Sequence, residues 1–366
     1  MEYPYITFGD NYFALTQSLV DTGDLNLNEY LTYPVGSWQR CCLSMGSDGN
    51  AYSRFSPGFS YAMAPFYVLS GLRGIPLASV LFSTLTVLYL FLLCRLFVDE
   101  KTALITSLVF AFCTSIYTYS QVSLSESLLG LLLIASVYYM ADFRKAGRTE
   151  SMVLSGYFFG FLVFTKISLS VLAVIYLLGL RSSAKNLSYF AVGASVFLAI
   201  LFSYDALLFG SPLQTGYSSV MFDSESGLQG PQDTRALFSF DVSFVRHVAL
   251  ILVALIVTQP VILFSFYGLL KNRNALEIIM ISWISLLLVL FYSFWHNPFG
   301  TVSWSPRYHY PLIPLLSLPF SMVFDDSLKS RRYLLLLVTT ISLMLTVLSL
   351  NFASWGYFSL LSESLF

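Results

Sequence analysis

A chain of 366 residues in which 56% of side chains are apolar, 17% aromatic and only 11% charged cannot keep its surface in water, because a soluble domain carries roughly 25% charge. The net charge of -1 points to no class of partner, and the lack of any basic tract argues against nucleic acid. The apolar stretches are too long and too many for soluble cores, so a bilayer must act as solvent, and the chain is expected to be an all-α, polytopic transmembrane bundle.

Residues 1–75 read as an extracytoplasmic loop with juxtamembrane helices. Gly9-Asp10-Asn11 leads into Phe13, Ala14, Leu15, Leu19 and Val20, a spacing that predicts a short amphipathic helix at the interface, broken at Asp21-Thr22-Gly23-Asp24. Asp48-Gly49 signals a turn, and Tyr52-Ser53-Arg54-Phe55-Ser56-Pro57-Gly58 then leads to Ala64-Pro65-Phe66-Tyr67 at the membrane. The four cysteines, Cys41, Cys42, Cys94 and Cys113, lack metal-ligand spacing. Adjacent Cys41 and Cys42 are poorly placed to bridge each other, so all four read as small apolar fillers.

Residues 76–352 form the predicted membrane bundle, with spans at 76–97, 102–120, 126–142, 152–165, 168–181, 187–209, 246–270, 275–295, 311–324 and 332–352, about ten in all. The two short spans around Lys166 read alternatively as a re-entrant hairpin. Residues 353–366 are then a short extracytoplasmic tail. Alternate loops hold Lys101, Arg144, Lys145, Arg148, Arg181, Lys185, Lys271, Arg273, Lys329, Arg331 and Arg332, which assigns them to the cytoplasmic side. The long loops 1–75, 210–245 and 296–310 consequently face outward, with Trp38, Trp295, Trp304 and Trp355 as interfacial anchors. An outer first loop is delivered either by a preceding span or by unaided translocation of the N-terminus, and of the two a further leading helix upstream of Met1 is expected.

The candidate site residues lie at these outer boundaries. Asp10 is a carboxylate held at the lipid-water boundary, either as a general base or as a helix N-cap. Glu126 begins a span and Lys166 interrupts an apolar run; ionisable groups at membrane depth are functional candidates because each costs roughly 2.5–3.5 kcal/mol to insert, with snorkelling the alternative for Lys166. In the segment from Trp295 to Pro311, Arg307 is the natural anion ligand, its planar fork holding two phosphate oxygens, or else an interfacial anchor. His309 can add a donor or pass a proton, whereas His247 and His296 read as structural. Arg54, Tyr308 and Asp24 are further site candidates. No spacing demands a metal, although Asp10, Asp24 and Glu29 leave a divalent ion possible.

Taken together, Gly9-Asp10 with its amphipathic helix, the segments Tyr52 to Gly58 and Ala64 to Tyr67, Phe209 to Tyr217, and Trp304-Ser305-Pro306-Arg307-Tyr308 before a Pro-rich span resemble the GT-C class of polyprenyl-phosphate-dependent glycosyltransferases. That class includes the protein O-mannosyltransferases and the lipid A aminoarabinose transferases. The resemblance implies transfer of a sugar from a polyprenyl-phosphate donor to a hydroxyl of a protein, lipid or glycan acceptor on the outer face, with inversion. It also implies Asp10 as general base, with Lys166, Arg307 and His309 on the donor phosphate. The family often has Asp-Glu where this chain has Asp10-Asn11, which leaves the second carboxylate without a match. A secondary transporter is the rival from another class, but it calls for internal repeats and a midplane site; a lipid-linked polysaccharide ligase or polymerase is the rival enzyme.

Overall fold

The computed structural model describes residues 10–32, 42–181, 183–223, 227–231, 243–295, 299 and 305–351. Residues 10–32 and 42–75 are folded. Helix α1 (Asp10–Asp21) covers the predicted amphipathic segment and ends at Gly23, whose φ of +76° stops the helix without the strain a Cβ would bring. Tyr12 and Phe13 are buried in the main helical core, whereas Ala14 packs with Leu27, Tyr30, Leu43 and Ala51 of the same segment; Leu15 is buried as well. The Asp48-Gly49 turn joins strands β1 (Leu43–Met45) and β2 (Ala51–Ser53). The Tyr52 hydroxyl donates to Asp48 at 2.7 Å, and with the Asn50 backbone N–H at 3.0 Å it holds that carboxyl below the usual carboxylate range.

Strands β3 (Val220–Asp223) and β4 (Gly227–Pro231) follow α9 (Ala184–Phe209) in the 210–245 segment, and the four strands form one antiparallel sheet in the order β2-β1-β3-β4. The sheet is a small addition to a helical protein that the residue pattern did not predict, because strands this short show no alternation to read. Its effect is to tie the segment before Gly58 to the segment after α9. The Ser44 hydroxyl donates to the Gly216 carbonyl at 2.7 Å, and the Ser47 N–H to the Leu208 carbonyl at 2.8 Å.

Ten spans were expected; among the described residues five segments are long and apolar enough to cross a bilayer, namely Gly58–Arg95, Glu126–Ala146, Ala184–Phe209, Leu276–Ser293 and Arg332–Ser349. The first is two helices. Its 38 residues would reach about 57 Å as one rod, nearly twice a hydrocarbon core. It breaks at Gly71, with φ +57°, into α2 (Gly58–Ser70) and α3 (Gly74–Arg95). Phe59 and Phe66 of α2 both contact Phe82 of α3, at 6.4 and 6.0 Å between ring centroids, so α2 doubles back along α3.

The remaining differences follow from breaks within the predicted spans. Segment 102–120 divides at Thr114 into α4 (Glu100–Cys113) and α5 (Ser115–Ser120). Segment 246–270 is α10 (Ser243–Thr258) and α11 (Ile262–Lys271), set 117° apart. Pro260, without an N–H and with a ring that clashes against the preceding turn, stands at that bend. The donors released by the two breaks are taken up by tertiary contacts: Ser115 N–H donates to Gln259 and Val261 N–H to Ser342, each at 2.9 Å. Helices α7 (Thr149–Thr165), α8 (Ala173–Leu180), α13 (Leu312–Leu315) and α14 (Ser317–Ser330) are apolar but short; α6 (Glu126–Ala146), α9 (Ala184–Phe209), α12 (Leu276–Ser293) and α15 (Arg332–Asn351) complete the bundle.

Helices α7 and α9 meet through glycine. A Cβ on Gly156 would lie 1.9 Å from the Phe190 carbonyl oxygen, and one on Gly193 equally close to that of Val153. These backbones touch because no side chain stands between them, as in small-xxx-small pairs of membrane helices. Gly156→Val is expected to force the helices apart and destabilise the protein by about 1–3 kcal/mol, measurable as a lower melting temperature in detergent, whereas Val192→Ala on the exposed face of α9 should leave it unchanged.

The reading of all four cysteines as fillers needs correction. Cys94 and Cys113 are free and buried, as expected, but Cys42 is disulfide-bonded. It carries a φ of +63°, unusual for a residue with a Cβ. Cys41 lies outside the described residues.

Candidate active site

Glu126 is the first residue of α6, where free backbone N–H groups and the helix dipole favour a negative charge. It is fully buried. Helix α7 runs antiparallel and ends at Thr165; Lys166 then takes extended backbone angles before a short 3-10 turn, Ile167–Leu172, which swings its side chain back to the start of α6. Lys166 Nζ lies 3.8 Å from Glu126 Oε1. From the far end of the sequence, Pro306 introduces the 3-10 turn Arg307–His309, and Arg307 Nε donates to the same Oε1 at 2.7 Å. Glu126 Oε2 has no hydrogen-bond partner among the described residues. Two cations and one carboxylate thus share a desolvated corner that keeps one excess positive charge.

Above this corner lies a cavity of about 320 Å³. Its polar lining comes from Lys166, Arg307, Ser56, Thr165, Ser168 and Thr215, and its aromatic lining includes Tyr12, Phe55, Tyr217, Tyr292, Trp295 and Tyr308. The rings are ordered in pairs: Tyr12 stacks on Phe55 at 5.1 Å and Tyr308 on Tyr292 at 4.9 Å. Lys166 Nζ sits 4.4 Å from the centre of the Tyr308 ring, a cation–π position that holds the ammonium without neutralising it. The Tyr292 hydroxyl is 3.1 Å from Ser168 Oγ, and Ser56 Oγ accepts the Ile167 N–H at 3.4 Å, fixing the turn that carries Lys166.

Of the residues expected at a site, Lys166, Arg307 and Tyr308 line the cavity, and Glu126 joins the two cations from behind. Arg54 stands one layer out, its guanidinium 4.9 Å from the Tyr217 ring. His309 is fully buried against the edge of Tyr292, at 5.7 Å, and is not among the residues that line the cavity. The one-residue steps of the turn send Arg307 and Tyr308 toward the cavity and His309 into the bundle. Asp24 is solvent-exposed, accepts a hydrogen bond from Ser18 at 2.8 Å and is likewise absent from the lining. Asp10 opens α1, whose Tyr12 lines the cavity, but the Asp10 side chain lies outside the described residues, as do His296, Trp38, Trp304 and Trp355. His247 bonds the Ser293 carbonyl at 2.9 Å. Among the described residues no three His, Cys, Asp or Glu side chains gather as a metal site.

Tyr12, Tyr217 and Tyr292 line the cavity without having been singled out as site residues. In a chain with 24 Tyr and 33 Phe no single ring is conspicuous. Only Tyr217 carried a signal, as the end of the Gly- and Pro-containing segment from Phe209.

Residues 55–204 match the family model described as dolichyl-phosphate-mannose-protein mannosyltransferase. No curated protein sequence matches the chain. In fold it is similar to ArnT from Cupriavidus metallidurans, solved bound to undecaprenyl phosphate, with a TM-score of 0.60 and 14% identity over 88% of this chain and 56% of that one. It is also similar to the oligosaccharyltransferase of Archaeoglobus fulgidus in its apo form, with a TM-score of 0.54 and 14% identity over 95% of this chain and 51% of that one. The Archaeoglobus fulgidus oligosaccharyltransferase AglB in complex with an inhibitory peptide and a dolichol-phosphate matches with a TM-score of 0.52 and 13% identity, over 95% and 52% of the two chains. The chain spans about half the length of these proteins. The resemblance to GT-C polyprenyl-phosphate-dependent glycosyltransferases is borne out by the family model over residues 55–204 and by the polytopic fold of the chain.

Proposed function

We propose that the chain carries the site of a membrane glycosyltransferase that moves a sugar from a polyprenyl-phosphate donor to an acceptor hydroxyl at the extracytoplasmic face, with inversion at the anomeric carbon. The observation that carries this reading is the Lys166–Glu126–Arg307 cluster beneath an aromatic cavity at one end of the bundle. A sugar linked through a phosphodiester brings one negative charge, and breaking its anomeric C–O bond leaves a lipid phosphate with a second. The cluster's excess positive charge matches the donor, and its two cations stabilise the charge that develops on the leaving phosphate. Arg307 gives its Nε to Glu126 and so presents its remaining N–H groups in a fixed orientation, which suits a tetrahedral oxyanion. Asp10, two residues before the cavity-lining Tyr12, takes the acceptor proton as general base. The structure of ArnT with undecaprenyl phosphate supports a lipid-phosphate donor for this fold.

The proposed sidedness rests on charge. The opposite end of the bundle bears Arg95, Lys101, Arg144, Lys145 and Arg148, which the positive-inside rule keeps cytoplasmic, so the cavity opens outward. A polyprenyl chain cannot leave the bilayer, and an interfacial cavity meets that constraint.

The test is incubation of purified protein with a panel of polyprenyl-phosphate sugars, scoring transfer or donor hydrolysis; silence across the panel overturns the assignment. Lys166→Met should then weaken donor use by about 10- to 100-fold, the worth of one charge-assisted contact. Its fold should persist, because Arg307 still neutralises Glu126. An unchanged donor titration removes Lys166 from the site.

A further inference from the structure

A second and larger cavity, about 550 Å³, lies between α8 and α12 and plays no part in the site above. It is near the opposite end of the bundle: Arg144, in its lining, is eighteen residues along α6 from Glu126, about 27 Å at helical rise. The cavity extends along α12 from Leu276 to Leu287, about 16 Å, close to the depth of one leaflet of a hydrocarbon core. Val174, Leu178, Ile279 and Trp283 line it and are more than a third exposed, so it opens sideways toward lipid.

Its polar end holds two cations, Arg144 and Arg181. Arg144 is held loosely: Glu277 is 3.9 Å away, longer than a hydrogen bond, and the buried Nη1 has no hydrogen-bond partner among the described residues. A buried guanidinium N–H left without an acceptor is costly and calls for one. Gly179 leaves room beside it, since a Cβ there would stand 3.5 Å from Arg144 Nη2. Arg181, at the end of α8, is exposed at the same mouth.

We propose that this slot binds one anionic phospholipid of the leaflet opposite the sugar-transfer site, its phosphate between Arg144 and Arg181 and one acyl chain along α8 and α12. The match is of charge at one end and of depth along the other: cations at headgroup level and an apolar wall one leaflet deep. Bulk zwitterionic lipid satisfies the wall equally well but brings an ammonium to a mouth that is already cationic.

The experiment is native mass spectrometry of delipidated protein in detergent, incubated with phosphatidylglycerol or phosphatidylcholine of identical acyl chains. The expected result is retention of one phosphatidylglycerol with a preference of about 10- to 30-fold, two Arg contacts at headgroup level. Arg181→Gln should remove part of that preference and Arg144→Gln with Glu277→Gln, which leaves no lone carboxylate behind, should abolish it. Glycerol phosphate without acyl chains should fail to compete. Arg181 is exposed, so its variant folds even if the double variant does not. Equal retention of the two lipids, an undiminished preference in Arg181→Gln, displacement by glycerol phosphate, or a lipid-free dimer closing this face would each overturn the proposal.

Discussion

Asp10→Asn is expected to lower sugar transfer by about 10²- to 10⁴-fold, the usual worth of a general base, with little change in melting temperature. The choice of Asn separates the two roles of this residue. Asn serves a helix start nearly as well as Asp, so α1 and the Tyr12 it delivers to the cavity stay in place, while the group that accepts the proton is gone. Asp10→Ala removes both functions and should lower transfer and the stability of the first outer loop together. The measurement is turnover of the lipid-linked sugar by each variant beside its thermal denaturation. Near-normal turnover in the Asn variant, with loss confined to Ala, would reduce Asp10 to a helix-start residue.

Glu126→Ala is expected to destabilise the protein by about 3–5 kcal/mol, the effect of breaking a buried ion pair from one side. Arg307 and Lys166 are each only about 16% exposed, and without Glu126 their two like charges face each other in a desolvated corner. Glu126→Gln should fall between wild type and Ala, because its carbonyl still accepts from Arg307 Nε while the charge is lost. Loss of binding should accompany the Ala variant: an unanchored Arg307 no longer presents its N–H groups in one orientation. Thermal unfolding in detergent, alongside binding of a polyprenyl phosphate without a sugar, distinguishes the two effects. A Glu126→Ala protein with an unchanged melting temperature would mean that the cluster is solvated.

Much of this arrangement was legible along the chain. The amphipathic α1, its stop at Gly23, and the Asp48-Gly49 turn all rest on local rules, apolar spacing and the conformational freedom of glycine, that need no partner. Glu126, Lys166 and Arg307 could be named because a charge in an apolar run is expensive wherever the run goes. The Gly156-x-x-x-Gly160 spacing on α7, which lets that helix touch α9, is equally local. The breaks within the apolar stretches were not legible, because tertiary contacts overrode local signals: Gln259 and Ser342 accept the backbone N–H groups that breaks at Thr114 and Pro260 release, so stretches that look continuous are bent. That His309 turns away from the cavity that Arg307 and Tyr308 line was not legible, because a 3-10 turn directs adjacent residues to different sides and no periodicity announces a turn of three residues.

By itself the sequence determined that the chain lives in a bilayer, which end of it bears the excess positive charge, and which ionisable residues are too costly to be idle. Composition and charge act on solvation alone, and solvation is paid residue by residue. Only the tertiary structure decided that Arg307, 181 residues from Glu126, shares one carboxylate oxygen with Lys166 beneath an aromatic cavity. That meeting depends on where helices stop and how closely they cross, which is set by packing between segments remote in the chain and has no signature within any one of them.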